Sequence, residues 1–271
     1  MVAAAEKRMT LIDFLALHLG SSKKQAKRLL DERVVFVNDH RVWMARHELR
    51  AGDRVEVHAP EGSKEKRPRV SLLYSDEDLA IANKPAGVLS NGPGSLEEEL
   101  RSSLGAPALA AVHRLDRDTS GCLVYARNAA ARDAMVALFR GRKMGKMYHA
   151  VVSGRVESRS REITAPVDGQ PACTRLTVLR AAAAASHVEL RIETGRTHQI
   201  RRHMALIGHP VVGDRVYATQ VQPLRGLRGV PRQMLHASQV SFPHPRTGAL
   251  VRAAAPLPAD FRACLKNLKL S

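Results

Sequence analysis

The chain has 271 residues, 44% of them hydrophobic and 25% charged, which is ample for a folded core and unlike a disordered chain. Its formal net charge of +17 calls for a polyanionic partner, with nucleic acid as the first candidate. No apolar run approaches the roughly 18 residues of a membrane span, and the charged N-terminus lacks the apolar segment of a secretory signal, so no membrane role is expected and the cytoplasm is the expected compartment.

Residues 1–8 read as a flexible tail. Thr10 can cap a helix whose apolar positions Leu11, Phe14 and Leu15 fall at helical spacing, and Gly20 can stop it. Ser21 or Ser22 opens a second helix, Lys23 to Asp31. Ala26, Leu29 and Leu30 form its apolar side, and Lys23, Lys24, Lys27 and Arg28 its basic one. Val34 to Val37 is an expected strand, Asn38-Asp39 a turn, Arg41 to Trp43 the return, and Arg54 to Val57 alternates as a further strand. Two short helices, a hairpin and a strand, with a basic second helix and a V-x-V-N turn, resemble the S4 RNA-binding domain over residues 9–58. That resemblance implies that Lys23, Lys24, Lys27 and Arg28 face RNA phosphates. The plain alternative is a solvated lysine face.

Residues 59–69 combine charge with Pro and Gly and have no apolar period, which is the composition of a linker. A second domain, 70–271, is expected to begin with strands over Ser71–Tyr74 and Leu79–Ala82. Helices follow at Leu96–Leu104 and Ala129–Arg140, with an extended run at Lys146–Gly154 and an alternating strand at Val188–Ile192. A basic, histidine-rich helix start comes next, and a closing helix runs from Asp260. The alanine run 181–185 suits the tip of a hairpin. Strands outnumber helices without βαβ alternation, which indicates an α+β fold with a mixed sheet.

The stretch His113-Arg114-Leu115-Asp116-Arg117-Asp118-Thr119-Ser120-Gly121 sets one carboxylate, Asp116, between two guanidinium groups. The apolar run Cys122–Ala126 follows at once. A polar loop on the end of a buried strand is a usual place for chemistry, and a carboxylate in basic surroundings can serve as nucleophile or base toward an anionic substrate. Structural pinning of the loop is the competing reading. Phosphate-cradling and dinucleotide loops are absent, no G-x-S-x-G turn offers a serine nucleophile, and the histidines have no Cys or Glu at ligand spacing, so no metal is expected. Cys122, Cys173 and Cys264 are too far apart to form a ligand pair and read as ordinary thiols.

Residues 113–121 resemble the signature of the RluA-type pseudouridine synthases. Asn83-Lys84-Pro85-Ala86-Gly87, Thr194 to Arg201 with Gly208 to Asp214, and Leu235-His236-Ala237 with Phe242 to Gly248 resemble further blocks of that family, in its order. The resemblance implies a catalytic domain with a mixed, mostly antiparallel central sheet behind a small S4-like α/β module. It makes Asp116 the catalytic aspartate and Tyr148 the residue that stacks on the target base. Arg201 becomes the partner of the aspartate, Ile200 a pocket wall, Arg114 the side chain that enters the RNA where the uridine has left, and Lys84, from the first block, a brace of the site that is counted with these among the substrate-binding residues. The implied reaction is isomerisation of uridine to pseudouridine by a monomer without cofactor, with large-subunit (23S) ribosomal RNA as the expected substrate. Transfer RNA, or RNA binding without catalysis, are the alternatives. Arg202 and Asn91-Gly92 depart from the family pattern.

Overall fold

The computed structural model describes residues 2–4, 8–31, 34–38, 40–57, 70–218 and 230–270. The chain divides into two compact units, Met1–Arg69 and Val70–Ser271. The expected linker over 59–69 lies outside the described residues, as does Asp39 of the expected turn.

The first unit contains β1 (Val2–Ala4), β2 (Met9–Thr10), α1 (Leu11–His18), α2 (Lys23–Asp31), β3 (Val35–Val37), β4 (His40–Arg41), β5 (Glu48–Leu49) and β6 (Arg54–Val57). Thr10 caps α1 by accepting from the Asp13 amide at 3.4 Å. The strands order as β1-β6-β3-β4, with β2 pairing β5 separately. Leu11, Phe14 and Leu15 of α1 meet Ala26 and Leu30 of α2 over Val35, Val37, Val55 and Val57. The apolar stripes read from the sequence are therefore the buried faces, and Lys23, Lys24, Lys27 and Arg28 are exposed. One expectation is corrected: residues 2–4 do not form a loose tail but pair antiparallel with β6, Ala3 opposite Val55. An edge strand presents unpaired backbone donors and acceptors to any extended segment nearby, and short apolar Val2–Ala4 supplies one.

The second unit contains β7 (Leu72–Ser75), β8 (Leu79–Lys84), α3 (Leu96–Ser103), β9 (Ala110–Ala111), β10 (Ser120–Ala126), α4 (Ala129–Arg140), β11 (Gly145–Ser153) and β12 (Ser160–Ile163). It continues with β13 (Thr174–Ala181), β14 (Ala185–Ile192), α5 (Gln199–Leu206), β15 (Leu235–Pro243), β16 (Leu250–Ala254) and α6 (Ala259–Asn267). Its sheet runs β12-β13-β14-β11-β15-β10-β8-β7, with β16 on β15 and β9 on β10. Among the described residues β10–β15 is the parallel pairing and the other neighbours are antiparallel. The alanine run closes the β13–β14 hairpin, where Ala182 N donates to Ala185 O at 2.9 Å.

Strand β10 is buried along its whole length, and apolar from Cys122 on, because both faces of the sheet are covered there. Leu123 and Tyr125 point to the side holding Leu96 and Leu100 of α3 and Ile200 and Met204 of α5. Cys122, Val124 and Ala126 point to the other side, with Ala131 and Met135 of α4. Helix α6 seals a smaller cluster through Phe261, Cys264 and Leu265. Among the described residues no helix is long and apolar enough to cross a membrane.

Candidate active site

Residues 113–119 enter β10 as a loop fastened on every side. The Ser90 hydroxyl donates to Leu115 O and accepts from Leu115 N, both at 2.9 Å. His113 Nε2 accepts from Val124 N at 3.1 Å, and burial pushes its pKa down to about 3, so the ring stays neutral. Arg117 Nε donates to Gly87 O at 2.9 Å, and Gly87 N donates to Arg117 O at 2.9 Å. Lys84 is fully buried, and Nζ donates to Pro85 O, Val88 O and Arg117 O at 2.8, 2.7 and 2.9 Å. Three carbonyl acceptors match the three donors of an ammonium. Burial works against that charge and lowers the Lys84 pKa to about 7, with Asp118 and Asp116 opposing the shift. Lys84 is thus a brace between the first sequence block and the loop. The expectation that it contacts substrate is corrected, since it has neither exposure nor a spare donor.

At the end of the loop Gly121 has φ +113°, and a Cβ placed there would lie 2.1 Å from Ala237 O. Only glycine lets β10 approach β15 this closely. That approach carries the Gln233 side chain to the loop, where Nε2 donates to Thr119 Oγ1 at 2.8 Å and reaches Asp116 Oδ2 at 3.4 Å. Arg232 ties the same region together. It forms a two-pronged pair with Asp260 at 2.7 and 3.0 Å and donates to Asp118 O at 3.0 Å.

Asp116 faces α5. Arg201 Nη1 donates to Asp116 Oδ2 at 2.9 Å, while Nε and Nη2 hold both oxygens of Asp214 at 2.6 and 2.9 Å. Burial acts to raise the Asp214 pKa, but Arg201 and the Val216 and Tyr217 amides outweigh it and hold the carboxyl below its usual range. The Arg201 guanidinium lies 5.1 Å from the Tyr217 ring centroid. His198 caps α5 in the left-handed region at φ 54°. Its Nδ1 meets Tyr217 Oη at 3.0 Å and its Nε2 lies 3.6 Å from Asp116 Oδ1. Burial lowers the His198 pKa despite Asp116, which favours the neutral ring.

Asp116 opens into a small pocket of about 80 Å³ that includes Leu115, Tyr148, Ile200, Arg201 and Leu235. Tyr148 sits where the β11–β15 register shifts, between Met147 and Tyr148. The extra residue is Ser238 on β15, so β11 keeps its alternation and its continuous register with β14. Burial raises the Tyr148 pKa, so the phenol is neutral. Arg114 is exposed at the rim. The structure therefore brings Asp116, Arg114, Tyr148, Ile200 and Arg201 to one pocket and sets Lys84 beneath it; Lys23, Lys24, Lys27 and Arg28 belong to the first unit. Asp214, Gln233 and Arg232 had no role in the sequence reading, and His198 had none beyond its motif. Asp214 stands at the end of the block that begins at Gly208, which is its only mark in the sequence; Gln233 and Arg232 have none. Arg202 pairs with Asp168 at 2.6 Å. Among the described residues no three His, Cys, Asp or Glu side chains converge as a metal site would require.

Such a pocket can present an oriented carboxylate to a planar ring lying against Tyr148 and Ile200. Comparison with known proteins gives this geometry a family. Residues 78–206 match the model for RNA pseudouridylate synthase. The chain is 32% identical to ribosomal large subunit pseudouridine synthase D of Haemophilus ducreyi, covering 92% of this chain and 87% of that one. It is 33% identical to an uncharacterized RNA pseudouridine synthase of Bacillus subtilis, over 99% of this chain and 97% of that one. Among solved structures, human RNA pseudouridylate synthase domain containing 1 superposes with a TM-score of 0.61 at 29% identity, over 72% of this chain and 87% of that one.

Proposed function

The chain belongs to the RNA pseudouridine synthase family, and on that premise we propose that Asp116 is the catalytic carboxylate with which it isomerises uridine to pseudouridine in large-subunit ribosomal RNA. In this reaction the N1–C1′ bond breaks, the base turns, C5 bonds to C1′, and the proton on C5 is lost while N1 gains one. Attack on C1′, attack on C6 and removal of a ribose proton all begin from the ionised carboxylate. No electron and no external group enters, so the balance needs no cofactor.

The observation that carries the reading is the Asp116–Arg201 bond at 2.9 Å beside Tyr148 and Ile200. Arg201 fixes the carboxylate, Tyr148 stacks on the uracil, and Ile200 packs against its edge. A uridine inside folded RNA must be flipped out to reach Asp116, at a cost of about a few kcal/mol, and Arg114 at the rim offsets this by filling the gap in the stack. The first unit acts as an S4-like module whose Lys23, Lys24, Lys27 and Arg28 hold RNA phosphates. The ribosomal substrate rests on the likeness to the Haemophilus large-subunit pseudouridine synthase and on the net charge of +17.

The test is tritium release from RNA labelled with 5-³H-uridine. Wild type releases tritium from ribosomal RNA of cells lacking the gene, and Asp116→Ala does not. Release from transfer RNA alone would reassign the substrate. Binding without release from either would make the protein an RNA-binding factor.

A further inference from the structure

A second cavity, of about 560 Å³, adjoins the catalytic pocket and shares Arg114, Tyr148, Ile192, Gly195 and Arg196 with it. Its own walls come from the end of α4 and the turn into β11, namely Val136, Phe139, Arg140, Arg142 and Lys146. A volume of that size lies in the range that holds whole small ligands.

Lys146 gives the cavity its character. It lies two residues before Tyr148 on β11, so the period of the strand sets both side chains on one face, about 7 Å apart. It is 8% exposed, and its Nζ has a long contact of 3.4 Å to Thr194 O and the Phe139 ring at 5.5 Å. Burial lowers its pKa to about 8, with no carboxylate acting against the shift. Glu193 also lines the cavity, but Arg175 engages it at 2.5 Å. A buried ammonium without a counter-charge is costly, and a ligand anion would offset that cost.

Arg142 supplies a second, independent observation. Its φ is +55°, and it follows the C-terminal end of α4 in a turn where Arg142 N donates to Phe139 O and Lys143 N to Leu138 O. Glycine is the usual residue at this left-handed position, because a side chain there costs backbone energy. A residue held against its own preference beside a cavity fits a functional demand on its side chain.

We propose that this cavity holds the nucleotide adjoining the target uridine, with its phosphate on Lys146 and Arg142 and its base against Val136 and Phe139. This rests on the pseudouridine synthase reading above, and it assigns to the enzyme a second built subsite that registers the RNA strand one step from the reacting base.

The test uses the full chain and reads RNA binding apart from turnover. Lys146→Met keeps the aliphatic stem and removes the charge. It is expected to weaken ribosomal RNA binding about tenfold and to reduce the slope of log K against log salt by about one, with kcat at saturating RNA within about threefold of wild type. Lys146→Arg is expected to restore the slope. Arg142→Gly is expected to raise the melting midpoint while lowering the slope by about one, a combination that a structural role does not produce. The trinucleotide UUU serves as competitor, with either linkage replaced by a neutral methylphosphonate. One replacement is expected to weaken wild type as much as Lys146→Met does and to add nothing in that variant. Unchanged slopes in both variants, equal methylphosphonate losses in wild type and Lys146→Met, or a collapse of kcat at unchanged slope would each overturn the proposal. Should Lys146→Met fail to fold, Arg142→Gly decides alone. Wild type that binds with these slopes but releases no tritium would sink the reaction and leave the subsite standing.

Discussion

Arg201 gives Asp116 one donor, at 2.9 Å, while Asp214 occupies the rest of its fork at 2.6 and 2.9 Å. Asp214 is fully buried and Arg201 nearly so. The guanidinium is therefore aimed before substrate arrives. Replacing Asp214 by Ala leaves a buried cation short of a partner, and urea unfolding should show a loss of about 3–5 kcal/mol. Arg201→Lys keeps the charge but cannot span both carboxylates. Its kcat should fall about a hundredfold, the scale of a small misplacement of reacting groups, with RNA affinity nearly unchanged. Equal kcat for Arg201→Lys and wild type would show that the fork has no part in the reaction.

Lys84 tests brace against contact. Lys84→Met removes a donor from Pro85 O, Val88 O and Arg117 O, of which Arg117 O keeps the Gly87 amide, at about 1–3 kcal/mol for each one left unsatisfied. The melting midpoint should drop sharply, and the salt slope of RNA binding should stay where it was. A weakened RNA affinity at unchanged stability would return Lys84 to the substrate.

Gly121→Ala meets both a positive φ and a Cβ position 2.1 Å from a carbonyl oxygen. The β10–β15 pairing cannot absorb this without parting, so the loss should reach at least about 3 kcal/mol, among the large single-site effects. Soluble yield and thermal melts report it directly.

Helices α1, α2 and α4, strand β10 and the alanine-tipped hairpin were legible because each states its own period or cap. The Arg-flanked Asp116 was legible as a local anomaly. Strands β12 and β13 were not, since Thr174–Ala181 mixes Arg and Thr with Leu and Val in no strict period of two, and its burial alternates only over its first half. Gln233 and Asp214 could not be read as partners of the site, because nothing local marks a side chain whose partner lies more than a hundred residues away or on the far side of an arginine. The strand-forming character of residues 2–4 appears only once β6 offers an edge.

Acid should weaken the fold. Burial lowers the pKa of His113 to about 3 and of His187 and His236 to about 4. Unfolded histidines titrate near 6.5, so the unfolded chain binds protons that the folded chain refuses. The stabilisation is whole above about pH 6.5 and is lost as the pH falls toward 4, at a slope of up to about three protons. Urea midpoints at pH 7 and pH 5 measure it. His187→Gln should flatten the difference by about one proton, and a pH-independent midpoint would show that these rings are already solvated.

On α2, Lys24 and Lys27 are exposed. Reversing both to Glu should leave the melting midpoint within about 1 °C, since exposed surface changes cost little, and lower the salt slope of ribosomal RNA binding by two or more. An unchanged slope would remove the S4-like role.

The loop around Asp116 is finished by residues made long after it. Arg201 comes 85 residues later, Gln233 117 later, and Arg232 waits in turn for Asp260. Contacts so distant in sequence form late and slowly, and a chain emerging from the ribosome folds from its N-terminus. The first unit can therefore be complete while the carboxylate is still unaimed. On this order of assembly the loop that carries the carboxylate is fastened only after Asp260 of the last helix is free to hold Arg232.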